Sequence, residues 1–432
     1  MEYKFNSIPS EEVRQYLAEA FKLFIKDLAK LEKYNVKLQR NRNEIVKKMI
    51  IQIDIESDTD PRLRLNTDES YNLNIKSSNT SIFINITSLS FCGTRHGLET
   101  LSQLFLPDQS TGYLITLSDI LITDNPTYKY RGLMVDSVAN FIPTMNIIKT
   151  LDAMSYSKLN TFHWRIGITS FPIEQNVFQF GPCDRSTIYS KEDIAFVVKW
   201  AGVRGIRILI EAGVPGRMGV PRVWFAKSSC PKNNDAPSNL IPIQDIFNCF
   251  QNIYTLILAI TKVDDVFHLG RNIFPMLNCY EISDLDYFEK ALQHLKLANK
   301  GFLPRLPIIW YNENFLNDFD TWLRFGVQCD SLAYTSLSKY KVIVSMKWDL
   351  SCETRGPMCI EYRTWQQMYS WMSWSSIEAF KIEGGEATLW TDFVDSDYHL
   401  WPRAAAVAER LWSDVVASSK PDKFVYARLD AH

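Results

Sequence analysis

From about residue 128 onward the chain alternates short apolar runs with longer amphipathic ones, and this rhythm limits its fold more than any other feature. The apolar runs are Gly132–Val135, Thr161–Trp164, Arg207–Glu211, Val266–Leu269, Leu306–Trp310, Lys341–Ser345 and Gly384–Trp390, and a weaker one near Asp330–Ala333, sixth in order, completes eight. Between them, Ile194–Val203 and Ile246–Ile260 carry the pattern of amphipathic or buried helices. Strands alternating with helices predict a parallel α/β fold. Eight strands suit a (β/α)₈ barrel, although periodicity alone does not separate that from a doubly wound sheet.

The preceding sequence has a different texture. Residues 1 to 48 mix charged and apolar groups, as in Ala18-Glu19-Ala20-Phe21-Lys22-Leu23-Phe24-Ile25, and read as an N-terminal helical segment. Residues 49–127 read as a small α+β domain. Ile50–Ile55, Tyr71–Ile75 and Ile82–Ile86 alternate apolar and polar residues at strand period, and a helix from Gly93 to Leu104 follows to pack on that sheet. Residues 128–432 then form the barrel.

Composition removes several function classes. A formal charge of -2 and a pI near 6.3 give no electrostatic reason to expect nucleic acid or an anionic membrane. No apolar run approaches the roughly 20 residues of a membrane span. The start, Met1-Glu2-Tyr3-Lys4-Phe5, lacks the apolar core of a signal peptide. Eight cysteines form an even set without zinc-type spacing, and the sequons Asn79-Thr80-Ser81 and Asn85-Ile86-Thr87 mark Asn79 and Asn85 as glycosylation candidates. These favour a secreted or lysosomal protein whose leader is absent from this chain over a cytoplasmic one.

Several long motifs point to one family. They are Tyr130-Arg131-Gly132-Leu133-Met134-Val135-Asp136, Lys158-Leu159-Asn160-Thr161-Phe162-His163-Trp164, Gly384-Gly385-Glu386-Ala387-Thr388-Leu389-Trp390 and the stretch Leu400 to Trp412. Together with Val266-Phe267-His268-Leu269-Gly270-Arg271-Asn272-Ile273 they resemble glycoside hydrolase family 20, the β-N-acetylhexosaminidases, from about Ile50 to Asp414. The placing of Cys279, Cys352 and Cys359 is most similar to the insect chitooligosaccharide-degrading branch. The resemblance implies a TIM (β/α)₈ barrel preceded by a small α+β domain, no cofactor and no metal, and a homodimer formed through the barrel.

The same resemblance shows the family's chemistry replaced. Such enzymes use the substrate's own acetamide as nucleophile. That mechanism needs a Glu to protonate the leaving oxygen, an Asp to orient the acetamide N–H and a Tyr to hold its carbonyl. Those positions are Ile273, Asn272 and Asp349 here, so no catalytic set is intact. Loss of a general acid alone costs about 10²–10⁴ in rate, about 3–5 kcal/mol of barrier. What the resemblance leaves for substrate binding is Arg131 for sugar hydroxyls, Trp310, Trp365 and Trp390 as aromatic walls, and Asp392 in place of a Glu.

Three further positions are altered at the barrel mouth, where Arg165, Arg217 and Arg271 replace His, His and Gly of the family. Paired with local acids such as Glu211 or Asp349 they would plug the old site; left open they would make a cationic pocket for an anionic glycan. His163 and His268 match family positions with no metal role. These residues favour a catalytically inactive member of the family that retains part of a pocket for an N-acetylhexosamine-containing glycan, or none, and acts through binding. The alternatives are an active exo-β-N-acetylglucosaminidase acting on chitooligosaccharides or N-glycans, and a structural or interaction protein with a plugged pocket.

Overall fold

The computed structural model describes residues 1–34, 47–108, 113–138, 140–167, 170–172, 188–213, 243–270, 282–310, 326–329, 341–345, 347–351, 362–371, 382–390 and 400–413. The chain divides into two compact units, Met1–Thr127 with Leu151–Asn160 and Lys199–Ile206, and Tyr128–Thr150 with Thr161–Val198 and Arg207–His432.

The first unit is built on a five-stranded sheet in the order β1-β2-β4-β3-β7, with β1 (Glu2–Phe5), β2 (Lys48–Ile55), β3 (Tyr71–Ser77), β4 (Ser81–Ser88) and β7 (Ile120–Asp124). Period-two burial makes one face apolar: Ile51, Ile53, Ile55, Leu73, Ile75, Ile84 and Ile86 point inward. On that face lie α1 (Glu11–Tyr34), whose Phe21 ring stands 4.4 Å from Tyr3, and α2 (Phe91–Gln103), capped by the Ser90 hydroxyl accepting from Gly93 N–H. A two-stranded hairpin, β5 (Leu106–Pro107) with β6 (Leu114–Ile115), follows α2.

The N-terminal reading is corrected in part. The helix forms, but Glu2–Phe5 is a strand in parallel register with β2, Glu2 opposite Ile50 and Phe5 opposite Ile53. The first residues therefore belong to the sheet rather than to a helical segment. A four-residue strand has too little pattern to be seen in a sequence; its pairing comes from residues 48 positions away.

The second unit is the (β/α)₈ barrel. Its strands are β8 (Tyr130–Asp136), β9 (Thr161–Gly167), β10 (Arg207–Gly213), β11 (Val266–His268), β12 (Leu306–Trp310), β13 (Gly326–Cys329), β14 (Lys341–Val344) and β15 (Ile382–Trp390). All pair in parallel in the order β10-β9-β8-β15-β14-β13-β12-β11. The two ends of that order meet where Glu211 of β10 comes within 3.2 Å of His268 on β11. The sixth barrel strand is Gly326–Cys329, four residues before the expected run; Asp330–Ala333 lie outside the described residues. Helices include α3 (Thr144–Tyr156), α4 (Lys191–Gly202), α5 (Ile243–Thr261), α6 (Asp284–Ala298), α7 (Trp365–Ser370) and α8 (Trp401–Ser413).

Cys249 is a buried free thiol pushed up to about 12 by burial, and the Cys92 thiol faces the Pro61 carbonyl at 3.9 Å. The eight cysteines therefore do not all pair with one another. No helix among the described residues is long and apolar enough to cross a membrane.

Candidate functional site

Strand register lines up four residues near the C-terminal edge of the barrel, the end where ligands bind in this architecture. Trp390 sits opposite Asp136, Asp136 opposite Arg165, and Arg165 opposite Glu211 on consecutive strands β15, β8, β9 and β10. Arg165 joins its neighbours: Nε donates to Glu211 Oε1 at 2.9 Å and a terminal nitrogen to Asp136 Oδ2 at 3.0 Å. Its guanidinium carbon lies 5.6 Å from the Trp390 ring centroid, and Trp390 lies 5.5 Å from Trp310. Burial disfavours the Arg165 charge, yet Glu211 and Asp136 outweigh it and raise its pKa. Asp136 is raised because burial outweighs the same arginine. Arg165 is thus paired with two local acids, Asp136 and Glu211.

Beneath this row, a fully buried network crosses the barrel interior. His163 donates from Nδ1 to Glu386 Oε1 at 2.9 Å and from Nε2 to Glu211 Oε2 at 3.1 Å. Burial alone would discharge it, but the two carboxylates hold its pKa up at about 9, so it is an imidazolium at neutral pH. Glu386 also accepts from the Tyr130 hydroxyl at 2.5 Å and from Gln328 Nε2 at 2.5 Å. Room for the Glu386 side chain comes from Gly132, where a Cβ would meet Glu386 Oε2 at 2.6 Å.

The tautomer of His268 follows from its neighbours. The Glu386 carboxylate can only accept, so the Gln328 amide turns its oxygen to His268 Nε2, 2.9 Å away, and that nitrogen must donate. Gly270 N–H donates to His268 Nδ1 at 3.0 Å. His268 is thus neutral, in keeping with a pKa lowered to about 4 by burial, against the pull of Glu211 and with the His163 charge adding to it. Glu211 also accepts from Trp310 Nε1 at 2.9 Å. Burial would raise its pKa, but the His163 imidazolium and Arg165 hold it well below the usual carboxylate range.

By spacing, His163, Glu211 and His268 could hold a metal ion, since one ligand atom from each lies within 4.8 Å of the others. The chemistry argues otherwise. His163 Nε2 is hydrogen-bonded to Glu211, Gly270 N–H donates to His268 Nδ1, and Trp310 and Arg165 donate to Glu211. Hydrogen bonds account for all three ligand atoms.

The structure brings together only some of the residues singled out from sequence. Trp310, Trp390 and Arg165 converge. Asp349 stands beside them through its bridge to Thr388; its Oδ1 accepts from Ser351 N–H at 2.8 Å and Ser351 Oγ–H at 2.6 Å, and Ser351 Oγ accepts from Trp390 N–H. Arg131 is the second residue of β8, fully buried; it donates to the Tyr128 carbonyl at 2.9 Å and lies 5.0 Å from the Trp412 ring. Five residues of strand, about 16 Å, separate it from Asp136. Trp365 opens the short helix α7 and packs with Tyr369 and Ala406, in a separate cluster. Arg217, Arg271, Asn272, Ile273 and Asp392 lie outside the described residues. Sequence reasoning missed Asp136, Gln328 and Glu386; a lone acid inside an apolar strand, which must be paired when buried, was the available signal for Asp136 and Glu386.

Similarity to known proteins agrees with this geometry. The family described as "Glycosyl hydrolase family 20, catalytic domain" matches residues 128–275 and 322–415, and "beta-acetyl hexosaminidase like" matches residues 1–104. The chain is 30% identical over 414 residues to a probable beta-hexosaminidase of Drosophila melanogaster, covering 84% of this chain but 63% of that protein. It is also 30% identical to a chitooligosaccharidolytic beta-N-acetylglucosaminidase of Ostrinia furnacalis, covering 84% of this chain and 71% of the relative. In fold it resembles the chitobiase of Flavobacterium johnsoniae, with a TM-score of 0.72 at 21% identity over 99% of this chain and 68% of that one. A Vibrio harveyi exo beta-N-acetylglucosaminidase solved with N-acetylglucosamine gives a TM-score of 0.72 at 17% identity, over 100% of this chain and 72% of that one. With the motifs, the parallel barrel and the matched profile in agreement, the chain belongs to glycoside hydrolase family 20.

Proposed function

We propose that this chain is a non-hydrolytic member of its family that recognises a terminal N-acetylhexosamine on a glycan, in the secretory pathway, at the C-terminal mouth of its barrel. One observation carries the reading: where the resemblance calls for an acid pair, the sequence has Asn272 and Ile273. An amide and a hydrocarbon cannot deliver a proton to a glycosidic oxygen. The site's described acids support it. Asp136 and Glu211 are engaged by Arg165, and Asp349 accepts two hydrogen bonds from Ser351.

A second reading is favoured by Arg165 itself. Its guanidinium lies close to the Trp390 indole, which the resemblance assigns to a sugar wall, so a closed mouth serving a structural role follows if that contact persists. Relatives named for hydrolysis of chitooligosaccharides make a working exo-hexosaminidase the rival.

Release of a chromophore from an aryl N-acetylglucosaminide, followed from pH 4 to 8, together with calorimetric titration of N-acetylglucosamine, separates the three. No turnover with saturable binding supports the proposal, and neither turnover nor binding supports the closed mouth. Turnover that a single carboxylate substitution abolishes sinks the proposal.

A further inference from the structure

We infer that Asn79, and not Asn85, is the acceptor of an N-linked oligosaccharide on this chain. Sequence treats the two sequons alike, but the fold does not. Asn79 and Thr80 are the central residues of the turn joining β3 to β4, closed by Ser78 N–H donating to the Ser81 carbonyl at 2.8 Å and Ser81 N–H donating to Ser78 Oγ at 3.1 Å. Both are exposed, so the Asn79 carboxamide stands clear of the sheet.

Asn85 lies in the middle of β4, with Gln52 of β2 opposite on one side and Asn74 of β3 on the other. Strands spaced about 4.8 Å apart leave its side chain flanked within the sheet surface. The residue is half-buried, and its Oδ1 is shielded from solvent without a hydrogen-bond partner among the described residues. An oligosaccharide attached there would have to lie across both neighbouring strands.

The chemistry is a transfer from a lipid-linked diphosphate oligosaccharide. A bond forms between Asn79 Nδ2 and the anomeric carbon, the bond from that carbon to the phosphate oxygen breaks, and the amide gives up one proton to the departing diphosphate side. The Ser81 hydroxyl completes the recognised sequon.

The full chain is recovered from the secretory pathway of eukaryotic cells, then deglycosylated enzymatically in heavy-oxygen water, which converts each occupied Asn to labelled Asp. Peptide mass spectrometry is expected to find the label at Asn79 and none at Asn85. Ser81→Ala abolishes the glycan, Ser81→Thr keeps it, and Asn85→Gln leaves it unchanged. A label at Asn85, or an unlabelled Asn79 in the recovered chain, overturns the inference.

Discussion

His163 and Glu386 face each other across the barrel interior at 2.9 Å, each buried, on strands β9 and β15 that have β8 between them. The imidazole nitrogen on the other side donates to Glu211, so one imidazolium ties two carboxylates together. Glu386→Ala would leave His163 with a single counter-charge and strand the donors of Tyr130 and Gln328. Removing one partner of a buried ion pair costs about 3–5 kcal/mol. Denaturant unfolding should show a loss of that order with the secondary structure unchanged.

The two histidines give stability opposite pH dependences. The folded-state pKa of His163, about 9, lies above its unfolded value of about 6.5, so its contribution is complete below about pH 6.5 and lost as pH rises through about 9. His268, lowered to about 4, contributes stability above about pH 6.5 that is lost as pH falls through about 4. Unfolding free energy against pH is therefore expected to peak near pH 6.5. His163→Gln should flatten the alkaline limb and His268→Gln the acid limb; equal flattening of both limbs by one variant would contradict the assignment.

Arg165→Ala tests the closed mouth. Loss of the guanidinium uncovers the Trp390 indole and leaves Asp136 and Glu211 without their shared cation, at a cost of about 3 kcal/mol. Calorimetry should register tighter N-acetylglucosamine binding by the variant than by the parent, despite its lower melting temperature. Unchanged affinity would mean that Arg165 does not obstruct the pocket.

Restoring the missing groups tests the chemistry directly. The triple variant Asn272→Asp, Ile273→Glu, Asp349→Tyr returns the proton donor, the amide-orienting acid and the carbonyl-holding phenol that the family resemblance calls for. Turnover of an aryl N-acetylglucosaminide should rise by about 10² or more over the parent chain. A parent already turning over at the rate of the variant would remove the case for lost catalysis.

Much of the fold was legible because its motifs are long and hold rare residues at fixed places. Leu306–Trp310 forms a strand with the expected bounds, and Thr161–Trp164 and Gly384–Trp390 lie inside slightly longer ones. The limits appear where position depends on distant pairing. Arg131 was recognisable by type, but only strand register reveals that it lies five residues short of the C-terminal edge. Trp365 opens a helix capped by Thr364 and packs with Tyr369 and Ala406, a placement that no local pattern fixes. Gln328 and Glu386 belong to the interior network only because the cylinder closes, which no local pattern records.

The interior polar hoop draws on Tyr130, His163, Glu211, His268, Trp310, Gln328 and Glu386, and every one of these sits in a strand rather than in a connecting loop. Closure therefore rests on side chains carried by the strands themselves, Glu211 and Trp310 near their C-terminal ends included. The connecting loops beyond them can change in sequence without opening the cylinder.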